Sequence, residues 1–242
     1  MKCKLVGIQR TFDNGHGTHN TICFTLSRDY IEKNRFLDEA ETLSSSVGAA
    51  DPSGRPRTRE QKLCRALAGV VSEHICSTAI RDYARHHQLD LSVYKKTHVS
   101  ASDQIDLTVS RADVSFDVEV RSSGHFKKNL QEIYNKDFSI LGWYVTFAKM
   151  AEKKKDFYIT VLFPFLIDEI FEQIEIKASI AGGATKKMLD EIGVNRHLKQ
   201  EGATYRVITP IAKASDGPEI LSKIASADCD MAYWQGLENA YS

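Results

Sequence analysis

The sequence predicts an α/β fold: a mixed central sheet flanked by helices, with an N-terminal hairpin before it and a C-terminal α/β extension after it. Three observations predict this. Residues 102–121, SDQIDLTVSRADVSFDVEVR, alternate with period two on both sides of a polar turn. Ile105, Leu107 and Val109 alternate with Asp106, Thr108 and Ser110; Phe116, Val118 and Val120 alternate with Asp117, Glu119 and Arg121. Successive side chains of a strand point to opposite faces, so this stretch reads as a hairpin with one apolar and one charged face. Residues 60–87 repeat Leu63, Leu67, Val70, Val71, Ile75 and Ile80 at helical spacing. Residues 139–147 and 157–165 are apolar runs of strand length, the pattern of central strands covered on both faces.

The composition sets the bounds. A chain of 242 residues, 42% apolar and 26% charged, can bury a substantial core as a soluble protein. Its 32 basic and 32 acidic residues cancel, so any attraction to nucleic acid must come from local patches. No N-terminal stretch has the apolar core of a signal peptide, and no run approaches the ~20 apolar residues of a membrane span. A cytoplasmic location is expected, with no membrane partner. The five cysteines (3, 23, 64, 76 and 229) show no CxxC spacing and are expected reduced. The expected division is an N-terminal hairpin, helix and basic loop over 1–58, a core over 59–170, and an extension over 171–242.

Taken in order, residues 4–12 and 21–26 form a hairpin around Asn14-Gly15, a tight-turn signal. His16 and His19 lie in this turn, but they are two ligands where a structural zinc site takes four. One helix is expected over 28–44. Residues 44–59 are rich in Gly, Pro and Ser and carry Arg55, Arg57 and Arg59. They read equally as a basic loop closing over a phosphate backbone and as a solvated linker. On the long helix, Glu73 is surrounded at three- and four-residue steps by Ala66, Gly69, Val70, Cys76, Ser77 and Ile80. Lone carboxylates are rarely buried. Glu73 is therefore either a boundary residue making a surface pair or an inward carboxylate satisfied by a metal or by Arg121. A strand over 89–99 carries Lys95 and Lys96. A helix over 127–137 opens with Lys127, Lys128 and Asn129. The run Ala181-Gly182-Gly183-Ala184-Thr185-Lys186-Lys187 leads from a strand into a helix. It lacks the GxxxxGK[ST] spacing of a nucleotide-binding loop, so no nucleotide cofactor is expected. Lys186 and Lys187 could still meet a DNA phosphate. Tyr233 and Trp234 in the tail suit a core or dimer contact.

The acidic face of the central hairpin has two readings. One is an ordinary solvated face, because opposite charges across strands are common. The other is a metal site: like charges held together repel, and hard divalent cations take carboxylate and carbonyl oxygens. Asp106 is followed thirteen positions later by Glu119-Val120-Arg121, with Glu73 on the preceding helix. This arrangement resembles the PD-(D/E)xK nucleases, most closely the type II restriction endonucleases. The resemblance spans about residues 61–165. It departs from the pattern in having Ile105 before the Asp, and Arg121 in place of the Lys. Asp117-Val118-Glu119 offers a second register.

The resemblance implies a restriction-endonuclease-like core and a magnesium-dependent endonuclease that hydrolyses double-stranded DNA, acting as a homodimer. It implies Asp106, Glu119, the Val120 carbonyl and Asp117 as the metal-holding set. Asp106, Glu119, Arg121 and Glu73 would be the catalytic residues, with Lys96 a substitute for the missing Lys. Lys127, Lys128, Asn129, Lys186, Lys187, Arg55 and Arg57 are the expected DNA contacts. The alternatives are a junction- or repair-type nuclease of the same fold and a non-catalytic DNA-binding relative.

Overall fold

Alternation and turn chemistry set out the first strands of the computed structural model, which describes residues 5–13, 18–49, 55–95, 106–125, 130–134, 138–145, 153–197 and 204–226. β1 (Ile8–Asp13) and β2 (Thr18–Ser27) pair antiparallel, as the hairpin signal predicts. Ser27 then caps α1 (Arg28–Lys33) by accepting the Tyr30 amide at 3.2 Å. The expected single helix over 28–44 is instead two. Arg35 turns the chain at φ 56°, a left-handed conformation no helix interior adopts, and α2 (Phe36–Leu43) starts afresh.

α3 (Arg59–His86) is the long helix. Its start is a reciprocal capping box: Thr58 Oγ1 accepts the Gln61 amide at 3.1 Å, and Gln61 Oε1 accepts the Thr58 amide at 3.0 Å. Leu67, Val70, Val71, Ile75 and Ile80 are buried along it, which is the stripe the sequence shows. β3 (Ser92–Lys95), β4 (Leu107–Arg111) and β5 (Val114–Gly124) form an antiparallel meander, with Val93 opposite Val109 and Leu107 opposite Val118. α4 (Leu130–Tyr134) and β6 (Ile140–Val145) follow, and β7 (Phe157–Phe163) returns parallel to β5, Val118 opposite Phe157. A 3-10 segment, Ile167–Glu172, leads into β8 (Glu175–Thr185). The chain goes on through α5 (Lys186–Ile192), β9 (Val194–His197), β10 (Thr204–Ile208) and α6 (Gly217–Ser226).

The result is a mixed α/β fold. A seven-stranded sheet has the order β1-β2-β8-β7-β5-β4-β3, and a three-stranded sheet has the order β6-β10-β9. Only the β5–β7 pair is parallel; the other named pairs are antiparallel. β8 lies between β2 and β7, so strands from all three expected segments share the main sheet.

Two of the sequence expectations change here. The apolar run over 139–147 does not join the main sheet: β6 pairs with β10 instead. Its Ile140 and Trp143 pack with Tyr158 and Leu162 on one face of β7. An apolar run requires only that a strand be covered, not that it belong to a particular sheet. The Ala181–Thr185 stretch is likewise strand, not loop. Gly182 (φ 150°) and Gly183 let the Ser215 segment approach closely; a Cβ on Gly182 would stand 2.5 Å from the Ser215 carbonyl.

Two cores result. α3 and its neighbours cover one face of the sheet, burying Phe116, Val118, Phe157, Ile159 and Val161. The second core, under the smaller sheet, holds Tyr134, Trp143, Tyr158 and Leu162. Among the described residues no helix is long and apolar enough to cross a membrane.

Candidate active site

The alternation of β5 sends Phe116 and Val118 into the α3 core and turns Asp117, Glu119 and Arg121 to the opposite face. Glu119 is buried, at 4% exposure. Asp106 sits one residue before β4, beside the middle of β5. It is also buried, and its Oδ2 accepts the Val120 amide at 2.6 Å. That bond fixes the Asp against the residue between Glu119 and Arg121, so the spaced carboxylates of the sequence are brought together. Glu73 projects from α3 toward them, and its charge is felt at Asp106.

The electrostatics follow from burial. The Asp106 carboxyl is pushed up to about 7, first by loss of water and then by Glu73; the Val120 amide, Arg121 and Lys155 act in the other direction. Glu73 is also raised, by burial above all, with Lys95 opposing. The structure answers the question of what satisfies Glu73: Lys95 Nζ stands 2.9 Å from its Oε2, and the same ammonium also reaches Glu39. Burial pulls the Lys95 ammonium down, but the two carboxylates outweigh that and leave it raised. Arg121 instead turns along its own strand, with Nη2 3.3 Å from Glu119 Oε1 and 3.5 Å from the Gly142 carbonyl.

The other expected residues divide. Asp117 is half-buried and accepts Thr108 Oγ1 at 3.4 Å, with Lys153 at 3.8 Å. Its amide donates to Asp156 Oδ2 at 2.8 Å, and the Asp156 amide donates back to its carbonyl at 3.0 Å. Lys186 is brought near this link, its amide donating to the Asp156 carbonyl at 2.9 Å. Lys187 follows it in the first turn of α5. Arg57 is spent on the fold of its own loop, donating to the Gly48 carbonyl at 2.8 Å, while Arg55 is exposed. His19 is buried against the Ala181 carbonyl at 2.6 Å. Lys96, Lys127, Lys128, Asn129, His16, Tyr233 and Trp234 lie outside the described residues. Cys64 and Cys76 are free and buried, as expected of reduced thiols.

Sequence reading missed two cations. Lys95 looked like a strand-surface residue, and a charged residue opposite Leu107 gives no signal that it reaches a helix. Lys155 stood in the run Lys153-Lys154-Lys155, which reads as solvated, yet it is 1% exposed.

The donors suit a hard cation: carboxylate oxygens from Asp106 and Glu119 and the Val120 carbonyl, with Asp106 kept from easy ionisation by burial and by the nearby charge of Glu73. Among the described residues, however, no three His, Cys, Asp or Glu side chains converge closely enough to hold a metal by themselves. A cation here would lean on backbone oxygen, water or substrate, which is how magnesium is usually bound.

The chain is 31% identical to the uncharacterized protein MJECS01 of Methanocaldococcus jannaschii, over an alignment of 234 residues covering 83% of this chain and 84% of the relative. It belongs to the same family. No family model and no solved structure matches.

Proposed function

We propose that the protein is a magnesium-dependent endonuclease that hydrolyses phosphodiester bonds in double-stranded DNA, a restriction-type enzyme of the PD-(D/E)xK class. One observation carries the reading. Asp106 and Glu119 are both buried and are joined through the Val120 amide, at the place where an antiparallel meander meets a parallel strand, with Glu73 approaching from the preceding helix. The chain order α3, β3, β4, β5, α4, β6, β7 follows the helix, strand, acidic strand pair, helix, strand, strand expected of such a core, although of the last two strands only β7 lies in the main sheet.

Asp106, Glu119 and the Val120 carbonyl would hold the magnesium ion, which supplies an activated water and neutralises charge on the phosphate. The chain's own residues supply the rest. Arg121 cannot remove a proton, since its guanidinium stays charged above pH ~12; beside Glu119 it orients that carboxylate and offers donors toward a phosphate. Lys95 offsets the charge of Glu73 and so limits repulsion within the acidic group. Lys186, whose amide bonds to the Asp156 carbonyl, would meet a flanking phosphate. Cutting both strands calls for a homodimer with two such sites, and we place the activity in the cytoplasm as part of this reading.

A non-catalytic DNA-binding relative is favoured by one feature, the Lys95–Glu73 ion pair, which satisfies a carboxylate that a metal would otherwise use. A digest of plasmid and phage DNA, with and without magnesium, separates the readings. Magnesium-dependent fragments lost in Asp106→Ala support the nuclease. If junction DNA is cut and linear duplex is not, the enzyme is a structure-specific nuclease of the same fold. Retention of DNA without cleavage of any substrate points to the non-catalytic relative.

A further inference from the structure

Lys155 is the buried charge that the site as described does not employ. Its neighbours behave as the sequence suggests: Lys153 and Lys154 are exposed, the latter 2.9 Å from Asp190 and 4.3 Å over the Trp143 ring. Lys155 turns inward. Its side chain is fully buried, and its Nζ finds no hydrogen-bond acceptor among the described residues. The backbone leaves it little freedom. The Lys155 amide donates to the hydroxyl of buried Tyr158 at 2.9 Å, and the next residue, Asp156, is clamped to Asp117 by two hydrogen bonds. Its positive charge is felt at Asp106.

An ammonium taken out of water without an acceptor is unfavourable, and buried charges in folded proteins are as a rule paired. The other two cations near the acids are engaged, Lys95 with Glu73 and Glu39, and Arg121 with Glu119. Among the described residues this leaves the Lys155 ammonium without an acceptor, and the Asp106 carboxylate, on which its charge acts, with a backbone amide at Oδ2.

We propose that Lys155 is the ligand-facing cation of this site, its ammonium holding a non-bridging phosphate oxygen next to Asp106. It thereby takes the work that the sequence pattern gives to position 121. Lys155 is buried together with Asp106 and Glu119, at 1% exposure against 8% and 4%. The inference rests on the nuclease reading for the phosphate being a DNA phosphodiester. The assignment of an anion to Lys155 does not depend on cleavage.

The test is thermal denaturation of the full chain with inorganic phosphate titrated in the presence and absence of magnesium, for wild type, Lys155→Met and Lys155→Gln, with magnesium titrated alone as a control. Phosphate should raise the wild-type melting temperature, and both variants should need at least tenfold more phosphate for the same rise, while magnesium alone should still stabilise both. Plasmid cleavage, where wild type cuts, should fall at least a hundredfold in both. Failure of phosphate to protect wild type, or equal protection of the variants, would overturn the assignment. So would failure of both variants to fold, because Lys155 would then be a structural countercharge to Asp106. If wild type cuts no DNA but the variants lose phosphate protection, the nuclease reading fails and the anion site at Lys155 stands.

Discussion

The two faces of β5 solve opposite problems with the same backbone. On one face Phe116 and Val118 meet α3 and neighbouring strands in an apolar core, where each buried methylene adds stability. On the other, Glu119 and Arg121 lie beside Asp106, and burial there costs stability, because carboxylates and cations have lost water without full replacement. A strand that needed only to be stable would carry apolar or well-solvated residues on both faces. The contrast teaches that the acidic group is supported by the fold and is not part of what supports it. Substitutions on the two faces should therefore separate activity from stability.

The largest effect is expected on the charged face. Asp106→Ala and Glu119→Gln should each lower magnesium-dependent DNA cleavage at least ~1,000-fold, as loss of a metal ligand and its transition-state charge stabilisation implies. Circular dichroism and the melting profile should show the fold kept. A variant that unfolds, or one that cuts at the wild-type rate, would break the comparison. Next comes the apolar face. Val118 is fully buried opposite Leu107, which is fully buried too. Leu107→Ala should cost about 2–5 kcal/mol of stability through the cavity it leaves. Urea denaturation measures this, and at low temperature the folded fraction should still cut. An intact denaturation midpoint would show that the core is not where the stability resides.

A third effect joins the faces through pH. The Asp106 carboxyl ionises near 7 in the fold but near 3.8 as an ordinary side chain. The folded state thus holds a proton that the unfolded chain has released between these values. The penalty on folding is full above pH 7, shrinks as pH falls through 7, and is gone below the ordinary value. Asp106→Asn, which carries no such penalty, should melt higher than wild type at pH 8, and the gap should close toward pH 4. Magnesium should narrow the gap at pH 8 by stabilising wild type alone. A gap that is constant with pH would show that Asp106 is not the group responsible.

Much of the site was legible because strand periodicity fixes which side chains share a face. Asp117, Glu119 and Arg121 had to lie opposite Phe116 and Val118, and they do. For Glu73 the apolar neighbours on α3 left a boundary pair and an inward carboxylate open, and the structure has it buried. What failed to show were properties of the third dimension. Nothing in the run 139–147 tells which sheet it will join, and β6 leaves the main one. Nothing in three successive lysines tells that a tyrosine hydroxyl will fix the third with its ammonium inward. The partner of Glu73 was equally hidden, because nothing in the sequence tells that Lys95, on the strand that follows α3, folds back onto that helix.

Arg121 gives the smallest expected effect and the finest discrimination between the two cations. If Lys155 holds the phosphate, Arg121 serves mainly to orient Glu119, a task that a lysine at the same position can share through one donor in place of a fork. Arg121→Lys should then change the cleavage rate by less than about tenfold, since the single bond lost is worth about 1 kcal/mol. Arg121→Met, which leaves Glu119 without this cation, should cost more and should weaken the response to magnesium together with the rate. The two substitutions are compared in single-turnover cleavage with magnesium varied. Retained rate in the lysine variant assigns Arg121 to orientation of Glu119. A loss in Arg121→Lys as deep as in Asp106→Ala would mean that the planar, two-pronged contact of arginine is itself needed, and the phosphate would then belong to Arg121.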